Sequence, residues 1–325
     1  MPDAKQGYMP PGHYPASHLI AHPAMLDATL EFVTCPDAHG GHRMAYWQWG
    51  QPDSVHVVLC VHGLTRQGRD FDVLAQALCQ TAENAGHPIR VVCPDVAGRG
   101  KSDWLQDSAG YQVPHYAADM LALLAQLKPA TLDWVGTSMG GLIGMVVASL
   151  PETTPFAKVR RLVLNDVGPV IEWQALQRIG QYLGKTGVFD SEQQAADALW
   201  AIASSFGPHT PAQWLALSRP LLKPLGDDSG RLTLHYDPAL AEPFKAVTPE
   251  AAAQGETLLW QAYDQITAQT LLVRGAESDL LSRQTAQAMT ERGPRARLIE
   301  FAGVGHAPTF VAPDQVQAVC SFLLV

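Results

Sequence analysis

Short apolar runs rich in β-branched residues alternate with helix-like stretches along most of the chain. The strand-like runs are almost continuously apolar, as in Val55–Val61 and Leu132–Gly136. Such strands are typical of a parallel sheet whose two faces are both covered by helices. The sequence therefore predicts an α/β fold with a mostly parallel central sheet and helices on both faces.

The same pattern supplies the remaining elements of the predicted core. The other predicted strands are Leu30–Thr34, Met44–Trp49, Ile89–Cys93, Val159–Leu164, Thr270–Arg274 and Ala296–Phe301. The predicted helices between and after them are Asp70–Asn84, His115–Gln126, Met139–Ser149, Ser282–Arg292 and Pro313–Leu323. A strand followed by a helix is the repeating unit that parallel sheets require.

The alternation stops once and then resumes, which divides the chain. Residues 171–265 are helix-like with glycine and proline breaks, and they predict a helical cap inserted into the core. The predicted α/β core consists of residues 25–170 and 266–325. Residues 1–24 are rich in proline and histidine and lack apolar periodicity, so we expect an N-terminal arm without regular structure.

Composition excludes several classes of function. The chain has 325 residues, 47% of them hydrophobic and 16% charged, which is enough apolar surface for a large buried core. Its formal net charge of −9, without a basic stripe, argues against binding to nucleic acid. The absence of a secretory signal and of a long apolar run predicts a cytoplasmic protein without a membrane span.

Cysteine and histidine spacing gives no sign of a disulfide framework or a metal centre. The five cysteines have no C-x-x-C spacing, and we expect small buried hydrophobic side chains in a reducing compartment. His39 and His42 flank a Gly-Gly turn, but two histidines without a third ligand make a poor zinc site. We therefore predict no bound metal.

The segment Gly136-Thr137-Ser138-Met139-Gly140-Gly141 lies where a predicted strand ends and a helix begins. A G-x-S-x-G turn at such a junction holds its serine in a strained conformation that only small neighbours tolerate. The hydroxyl then points outward at the carboxyl end of the sheet, next to a helix N-terminus that favours negative charge. Ser138 is therefore the predicted nucleophile, and Gly136 and Gly140 are the small neighbours.

From about Leu30 to the C-terminus the chain resembles the α/β-hydrolase superfamily, and this resemblance assigns further residues. His62-Gly63 after the strand Val55–Val61 is similar to the family's His-Gly pair. It implies that the backbone N–H groups of Leu64 and Met139 form the oxyanion hole. The loop Pro94–Asp103 resembles a family loop whose role is structural.

The resemblance also implies the acid and the base of a catalytic triad. The family places the acid in the loop after the strand Thr270–Arg274, where Asp279 matches and Glu277 is a local rival. Some relatives carry the acid one strand earlier, at the position of Asp166, which we interpret as an ordinary loop carboxylate. His306, in a glycine-flanked loop after the last strand, matches the base. The chain order Ser138, Asp279, His306 is the one expected for this fold.

These residues predict a serine hydrolase that cleaves a carboxylic ester of a small to medium, fairly hydrophobic substrate through an acyl-enzyme, without a cofactor. Relatives that hydrolyse carbon–carbon bonds of dienoic ring-cleavage products share Ser-Met-Gly-Gly, although their oxyanion loops usually read Gly-Pro-Gly. Cofactor-free perhydrolases, lactonases and amidases are further alternatives, and a non-enzymatic ligand receptor is the alternative outside enzymes. The oligomeric state is not predictable from these features.

Overall fold

The computed structural model of the chain describes residues 27–151 and 157–324, and the predicted arm at residues 1–24 lies outside them. The strands are β1 (Thr29–Cys35), β2 (His42–Gly50), β3 (His56–Val61), β4 (Arg90–Pro94), β5 (Thr131–Thr137), β6 (Val159–Asn165), β7 (Leu222–Pro224), β8 (Leu232–Leu234), β9 (Gln269–Gly275) and β10 (Arg297–Phe301).

The α-helices connect and cover these strands. They are α1 (Asp72–Asn84), α2 (Val113–Leu127), α3 (Met139–Ala148), α4 (Trp173–Tyr182), α5 (Glu192–Ala203), α6 (Pro211–Ser218), α7 (Ala241–Lys245), α8 (Pro249–Gln265), α9 (Arg283–Glu291) and α10 (Pro313–Leu324).

Eight strands form one sheet in the order β1-β2-β4-β3-β5-β6-β9-β10. The pairs β1–β2 and β2–β4 are antiparallel, and the pairs from β4 to β10 are parallel. A short turn joins β1 to β2 and permits antiparallel pairing, whereas a crossover through a helix makes the later strands parallel. The predicted fold class is confirmed, and each predicted core strand overlaps an observed one.

The central strands are buried on both faces, as their apolar sequences require. In β3, Val57, Leu59 and Val61 belong to the core on one side of the sheet. The alternate residues Val58 and Cys60 belong to the core on the other side. Helices α2, α3 and α8 cover the first side, and α1 and α10 cover the second. Successive side chains of a strand point to opposite faces, so both layers need apolar residues.

Residues 171–265 lie between β6 and β9 and contain α4 to α8. The helical character predicted for this segment agrees with these elements, and its treatment as a separate cap stays a prediction. The two short strands β7 and β8 pair with each other in an antiparallel ribbon that the sequence analysis did not predict. Each has three residues, which is too short for an alternation of apolar and polar side chains to be recognised.

Hydroxyl side chains mark where several helices begin. The helices α5, α6, α8 and α9 follow side chains that accept a hydrogen bond from a backbone N–H of the first turn, namely those of Ser191, Thr210, Thr248 and Ser282. Such caps satisfy N–H groups that have no partner within the helix, typically worth about 1 kcal/mol each.

The five cysteines are all buried and none is in a disulfide, as the sequence analysis predicted. Burial raises the pKa of the Cys79 thiol to about 12 and that of Cys320 to about 11. Both thiols therefore stay protonated and unreactive near neutral pH. Within the described residues, no helix combines the length and apolar character that a membrane-spanning segment needs.

Candidate functional site

Ser138 occupies a sharp turn between β5 and α3. Its backbone has φ 52° and ψ −116°, a conformation that non-glycine residues rarely adopt. A Cβ atom at Gly136 would overlap the carbonyl oxygen of Gly140, and one at Gly140 would overlap the carbonyl oxygen of Val61. Glycines therefore let β3, β5 and α3 approach closely enough to hold the serine in this strained turn.

The side chain of His306 joins Ser138 to a carboxylate. Its Nε2 atom lies 3.0 Å from Ser138 Oγ, and its Nδ1 atom lies 2.7 Å from Oδ2 of Asp166. Because an ionised carboxylate only accepts hydrogen bonds, Nδ1 carries the proton and Nε2 is free to accept from the serine hydroxyl. This geometry is the one that a nucleophile, a base and an orienting acid require.

Asp166 is held rigidly at the end of β6. Its side chain is 0% exposed, and its Oδ1 atom accepts a hydrogen bond of 2.8 Å from the N–H of Gly275. Oδ2 also accepts a bond of 2.6 Å from the hydroxyl of Ser278. The backbone N–H of Asp166 donates to Val273 on the neighbouring strand β9. These contacts fix the carboxylate before any ligand binds.

The structure does not place Asp279 against the imidazole of His306, although the sequence favours this residue as the acid. Asp279 lies in the loop after β9 with a side chain that is 49% exposed, and it forms an ion pair with Arg178 of α4. Its local rival Glu277 is exposed as well. The loop does contribute to the site, but through the hydroxyl of Ser278, which donates to Asp166.

His62 organises the loop that follows β3. Its Nε2 atom accepts a bond of 2.9 Å from the N–H of Val96, so its Nδ1–H donates to the carbonyl oxygen of Gly63 at 2.7 Å. Burial lowers the pKa of His62 to about 3, which keeps the ring neutral. Gly63 passes beside the nucleophile, since a Cβ atom there would lie 3.8 Å from Cβ of Ser138.

Arg99 reaches both residues that were predicted to form the oxyanion hole. Its buried guanidinium donates to the carbonyl oxygen of Leu64 at 2.8 Å and contacts Sδ of Met139 at 3.4 Å. Further donors of the same group bind the carbonyl oxygen of Ala97 and the hydroxyl of Tyr116. Arg99 lies in the loop Pro94–Asp103, for which the family resemblance implies a structural role, although no sequence signal singles out this residue.

A second anchor of this region is Asp95, at the end of β4. Its carboxylate accepts hydrogen bonds from the backbone N–H groups of Gly68 and Lys101, at 2.7 and 2.8 Å. Burial raises its pKa to about 6, although these donors act in the opposite direction. Asp95 therefore ties the loop after β3 to the loop after β4.

Residues 205–209 of the segment between β6 and β9 contact the loop that carries the imidazole. The N–H of Gly305 donates to the carbonyl oxygen of Ser205 at 2.6 Å, and the Ser205 hydroxyl donates to the carbonyl oxygen of His306 at 3.3 Å. The ring of His209 contacts the hydroxyl of Thr309 at 2.8 Å. Burial lowers the pKa of His209, so its ring is neutral near pH 7.

Comparison with known proteins identifies the family of this chain. Residues 58–319 match the model of a family described as the alpha/beta hydrolase family. A 3-hydroxybutyrate-oligomer hydrolase of Cupriavidus necator is 50% identical over 294 residues, which cover 90% of this chain and 97% of that protein. A 2-hydroxymuconate semialdehyde hydrolase of Pseudomonas sp. (strain CF600) is 28% identical over 224 residues, which cover 67% of this chain and 70% of that protein.

A solved structure is also similar over nearly the whole chain. It is an alpha/beta hydrolase from Novosphingobium aromaticivorans, with 33% sequence identity and a TM-score of 0.76. The match covers 92% of this chain and 99% of that one. The eight-stranded sheet, the family match and these relatives agree, and the chain belongs to the alpha/beta hydrolase family.

Proposed function

We propose that the protein is a serine hydrolase of carboxylic esters, in which Ser138 is the nucleophile, His306 the base and Asp166 the acid. The observation that carries this proposal is the hydrogen-bonded chain from Ser138 Oγ to His306 Nε2 and from His306 Nδ1 to Asp166. The sequence similarity to a hydrolase of ester oligomers supports the same class of bond. Asp166 replaces Asp279 in the triad predicted from sequence.

The chemistry follows from this geometry in two half-reactions. His306 Nε2 removes the hydroxyl proton as Ser138 Oγ attacks the acyl carbon, and the buried Asp166 stabilises the imidazolium that forms. The imidazolium then gives its proton to the leaving alcohol, and an acyl-enzyme remains. Water, deprotonated by the same imidazole, attacks the acyl-enzyme, and the imidazolium returns this proton to Ser138 Oγ as the acid is released.

The backbone N–H groups of Leu64 and Met139 are the proposed oxyanion donors. The N–H of Met139 is the first of α3 and has no intrahelical acceptor. Leu64 directly follows Gly63, which passes beside Ser138. Donors fixed in advance stabilise a developing oxyanion strongly, and loss of one typically costs about 10²–10³ in rate.

We expect Arg99→Lys to lower kcat by about 10- to 100-fold with little change in KM. A lysine keeps the positive charge but loses the planar group that binds the Leu64 carbonyl and contacts Met139 together. Arg292→Lys, at an exposed pair with Asp264, is the matched control and should keep wild-type kinetics. Steady-state kinetics on p-nitrophenyl butyrate would separate the two parameters. A raised KM with unchanged kcat would contradict this positioning role.

For the substrate, we infer short linear oligoesters of 3-hydroxybutyrate. The relative that carries this name matches over 97% of its own length at 50% identity, so the similarity includes the segment between β6 and β9 as well as the core. Each ester bond of such an oligomer joins a 3-hydroxyacyl group to a secondary alcohol. The proposed triad can cleave this bond without a cofactor.

We expect the protein to release 3-hydroxybutyrate from its dimer and trimer with kcat/KM at least about tenfold above that for butyl butyrate. Product release can be followed by liquid chromatography, with a γ-lactone and unsubstituted butyl butyrate as comparison esters. Equal activity on butyl butyrate and the dimer would contradict the oligoester assignment and leave the ester hydrolase intact.

A carbon–carbon hydrolase is the second candidate, because the relative from Pseudomonas bears the name of an enzyme acting on a ring-cleavage product. The same panel should therefore include 2-hydroxymuconate semialdehyde, whose consumption is visible in the absorption spectrum. Turnover of that compound with no turnover of any ester would replace the proposed function by carbon–carbon bond hydrolysis.

A further inference from the structure

A second cluster of chemically reactive side chains lies where the β1–β2 hairpin packs on α2. Sγ of Cys35, a ring nitrogen of His42 and a carboxylate oxygen of Asp119 all lie within 4.8 Å of one another, and all three residues are buried. None of them belongs to the site around Ser138. A thiol, an imidazole and a carboxylate are the donors that proteins use to bind zinc.

The fold itself brings these residues together. Cys35 and His42 are directly paired across the antiparallel ladder of β1 and β2, so their side chains share one face of the sheet. His115 and Asp119 are four residues apart on α2 and therefore lie on one face of that helix. The rings of His42 and His115 stack with centroids 5.7 Å apart. Cys35, His42 and Asp119 thus converge from three elements, and His115 lies beside them.

Two polar atoms in this cluster are buried without a protein partner. The Asp119 side chain is 1% exposed; its Oδ2 atom lies 3.3 Å from Nε2 of His42. Its Oδ1 atom and Nε2 of His115 have no hydrogen-bond partner within residues 27–151 and 157–324, and they lie 3.9 Å apart. Leaving a buried polar atom unpaired typically costs about 1–3 kcal/mol, so a ligand between them would remove a penalty.

The outer contacts of the cluster also suit a metal. Asp37 Oδ2 lies 3.1 Å from Nδ1 of His42, and Asp37 Oδ1 accepts hydrogen bonds from the N–H groups of His39 and Gly41. A histidine that binds a metal through one nitrogen commonly donates its other N–H to a carboxylate, which fixes the ring. Asp37 supplies that carboxylate and is itself held by the turn between β1 and β2.

We propose that Cys35, His42, His115 and Asp119 bind Zn²⁺ as a structural site separate from the hydrolase site. Bonds of about 2.0–2.3 Å at the tetrahedral angle place ligand atoms about 3.3–3.8 Å apart. His42 Nε2 lies 3.3 Å from Oδ2 of Asp119, and His115 Nε2 lies 3.9 Å from Oδ1 of the same side chain. The ligand atoms of Cys35, His42 and Asp119 lie within 4.8 Å of one another, so rotations of these side chains would bring them to that spacing. Four protein ligands leave no open position for substrate, which is typical of structural zinc.

The sequence alone predicts no metal, because the two histidines of the turn between β1 and β2 have no third ligand near them in the chain. Only one of them, His42, is in the cluster, and His39 is exposed. The other donors come from residues 35, 115 and 119, which are brought together by strand pairing and helix packing. No local spacing motif joins these positions, so the pattern is visible only in three dimensions.

The test begins with the wild-type chain expressed without a histidine tag. After removal of metals with a chelator and dialysis against buffered Zn²⁺, we expect one equivalent of zinc per chain by mass spectrometry. Replacement by Co²⁺ should give the visible bands of a tetrahedral ion and a thiolate-to-cobalt band in the near ultraviolet. Loading with zinc at about 100 times Kd should raise the melting temperature by about 5 °C.

Variants separate this site from adventitious binding. Cys35→Ser should abolish the thiolate-to-cobalt band, and His115→Ala should weaken zinc binding by at least about tenfold. His39→Ala and Cys79→Ala are the matched controls in the same turn and of the same residue type, and both should bind zinc as the wild type does. Because the proposed hydrolase residues are elsewhere, the zinc-free protein should still hydrolyse p-nitrophenyl butyrate.

Two results would overturn the proposal, and neither depends on the folding of a variant. One is a wild-type chain that takes up no zinc from buffered Zn²⁺, which would leave the cluster as a hydrogen-bonded network only. The other is cobalt binding without the thiolate band, which would place the ion away from Cys35. Loss of hydrolase activity in Ser138 variants would not affect either measurement, so the two proposals are tested separately.

Discussion

Asp166→Asn is expected to lower kcat by about 10³–10⁴-fold, or about 4–5.5 kcal/mol of transition-state stabilisation. The amide cannot accept the proton of His306 Nδ1–H if its NH₂ group faces the ring. The imidazole then adopts the other tautomer, with a proton on Nε2 that blocks acceptance from Ser138. The size of the side chain is preserved, so the protein should fold. Single-turnover kinetics with p-nitrophenyl butyrate would measure the acylation step directly.

Asp279→Asn is the matched control for this prediction, because Asp279 is the acid that the sequence favoured. Its exposed ion pair with Arg178 should contribute no more than about 1 kcal/mol to stability. We expect kcat and KM within about twofold of the wild type. A large loss in Asp279→Asn together with an active Asp166→Asn would return the acid to the loop after β9 and contradict the proposed triad.

Ser138→Ala should have the largest effect of any single substitution, a loss of about 10⁵–10⁶ in kcat. Without the hydroxyl no acyl-enzyme can form, and the remaining donors can only assist direct attack by water. Alanine adds no atom to the crowded turn between Gly136 and Gly140, so the fold should persist. Activity on p-nitrophenyl butyrate and covalent labelling by a fluorophosphonate should both disappear.

The control for the nucleophile is Ser149→Ala, at the other end of α3. The Ser149 hydroxyl donates to the carbonyl oxygen of Val146 and has no contact with the proposed triad. This variant should be labelled and turn over substrate as the wild type does. Labelling that maps to a serine other than Ser138 by peptide mass spectrometry would contradict the assignment.

The strands of the core could be predicted closely from sequence, and the reason is visible in β3. Its five consecutive residues from Val57 to Val61 are all buried, because helices cover both faces of the sheet. A short, continuous apolar run of this kind is typical of a strand that is buried on both faces of a sheet. The strained turn at Ser138 was predictable too, because glycines on both sides of a serine at a strand–helix junction are typical of a turn that holds a nucleophile.

Which carboxylate faces the imidazole was not predictable from sequence, because β6 lies between β5 and β9 in the sheet. The strands β5, β6 and β9 are parallel, so the loops after β6 and β9 both begin at the edge of the sheet where Ser138 lies. Asp166 follows its strand immediately, whereas Asp279 is four residues beyond the end of β9. Only the bonds that Asp166 forms with His306, Gly275 and Ser278 show which carboxylate is buried beside the imidazole.

The segment between β6 and β9 was recognised as helical but not resolved in detail. Its strands β7 and β8 are joined by a turn that contains Gly226 and Gly230. Its contacts with the loop at residues 305–309 use backbone carbonyls, a serine hydroxyl and the ring of His209, and no sequence motif marks these groups as partners. The arrangement of Cys35 and Asp119 is hidden for a related reason, because 84 positions separate them along the chain.

Hydrogen bonds join residues 205–209 to residues 305–309. A displacement of residues 205–209 is therefore transmitted to the loop that carries the imidazole of His306. A ligand that displaces residues 205–209 must also displace the ring nitrogen of His306 that faces Ser138. Such a ligand can bind well and still react slowly, since proton transfer needs that nitrogen within hydrogen-bonding distance. We therefore expect the proposed hydrolase to discriminate among esters in the rate of the chemical step more than in affinity.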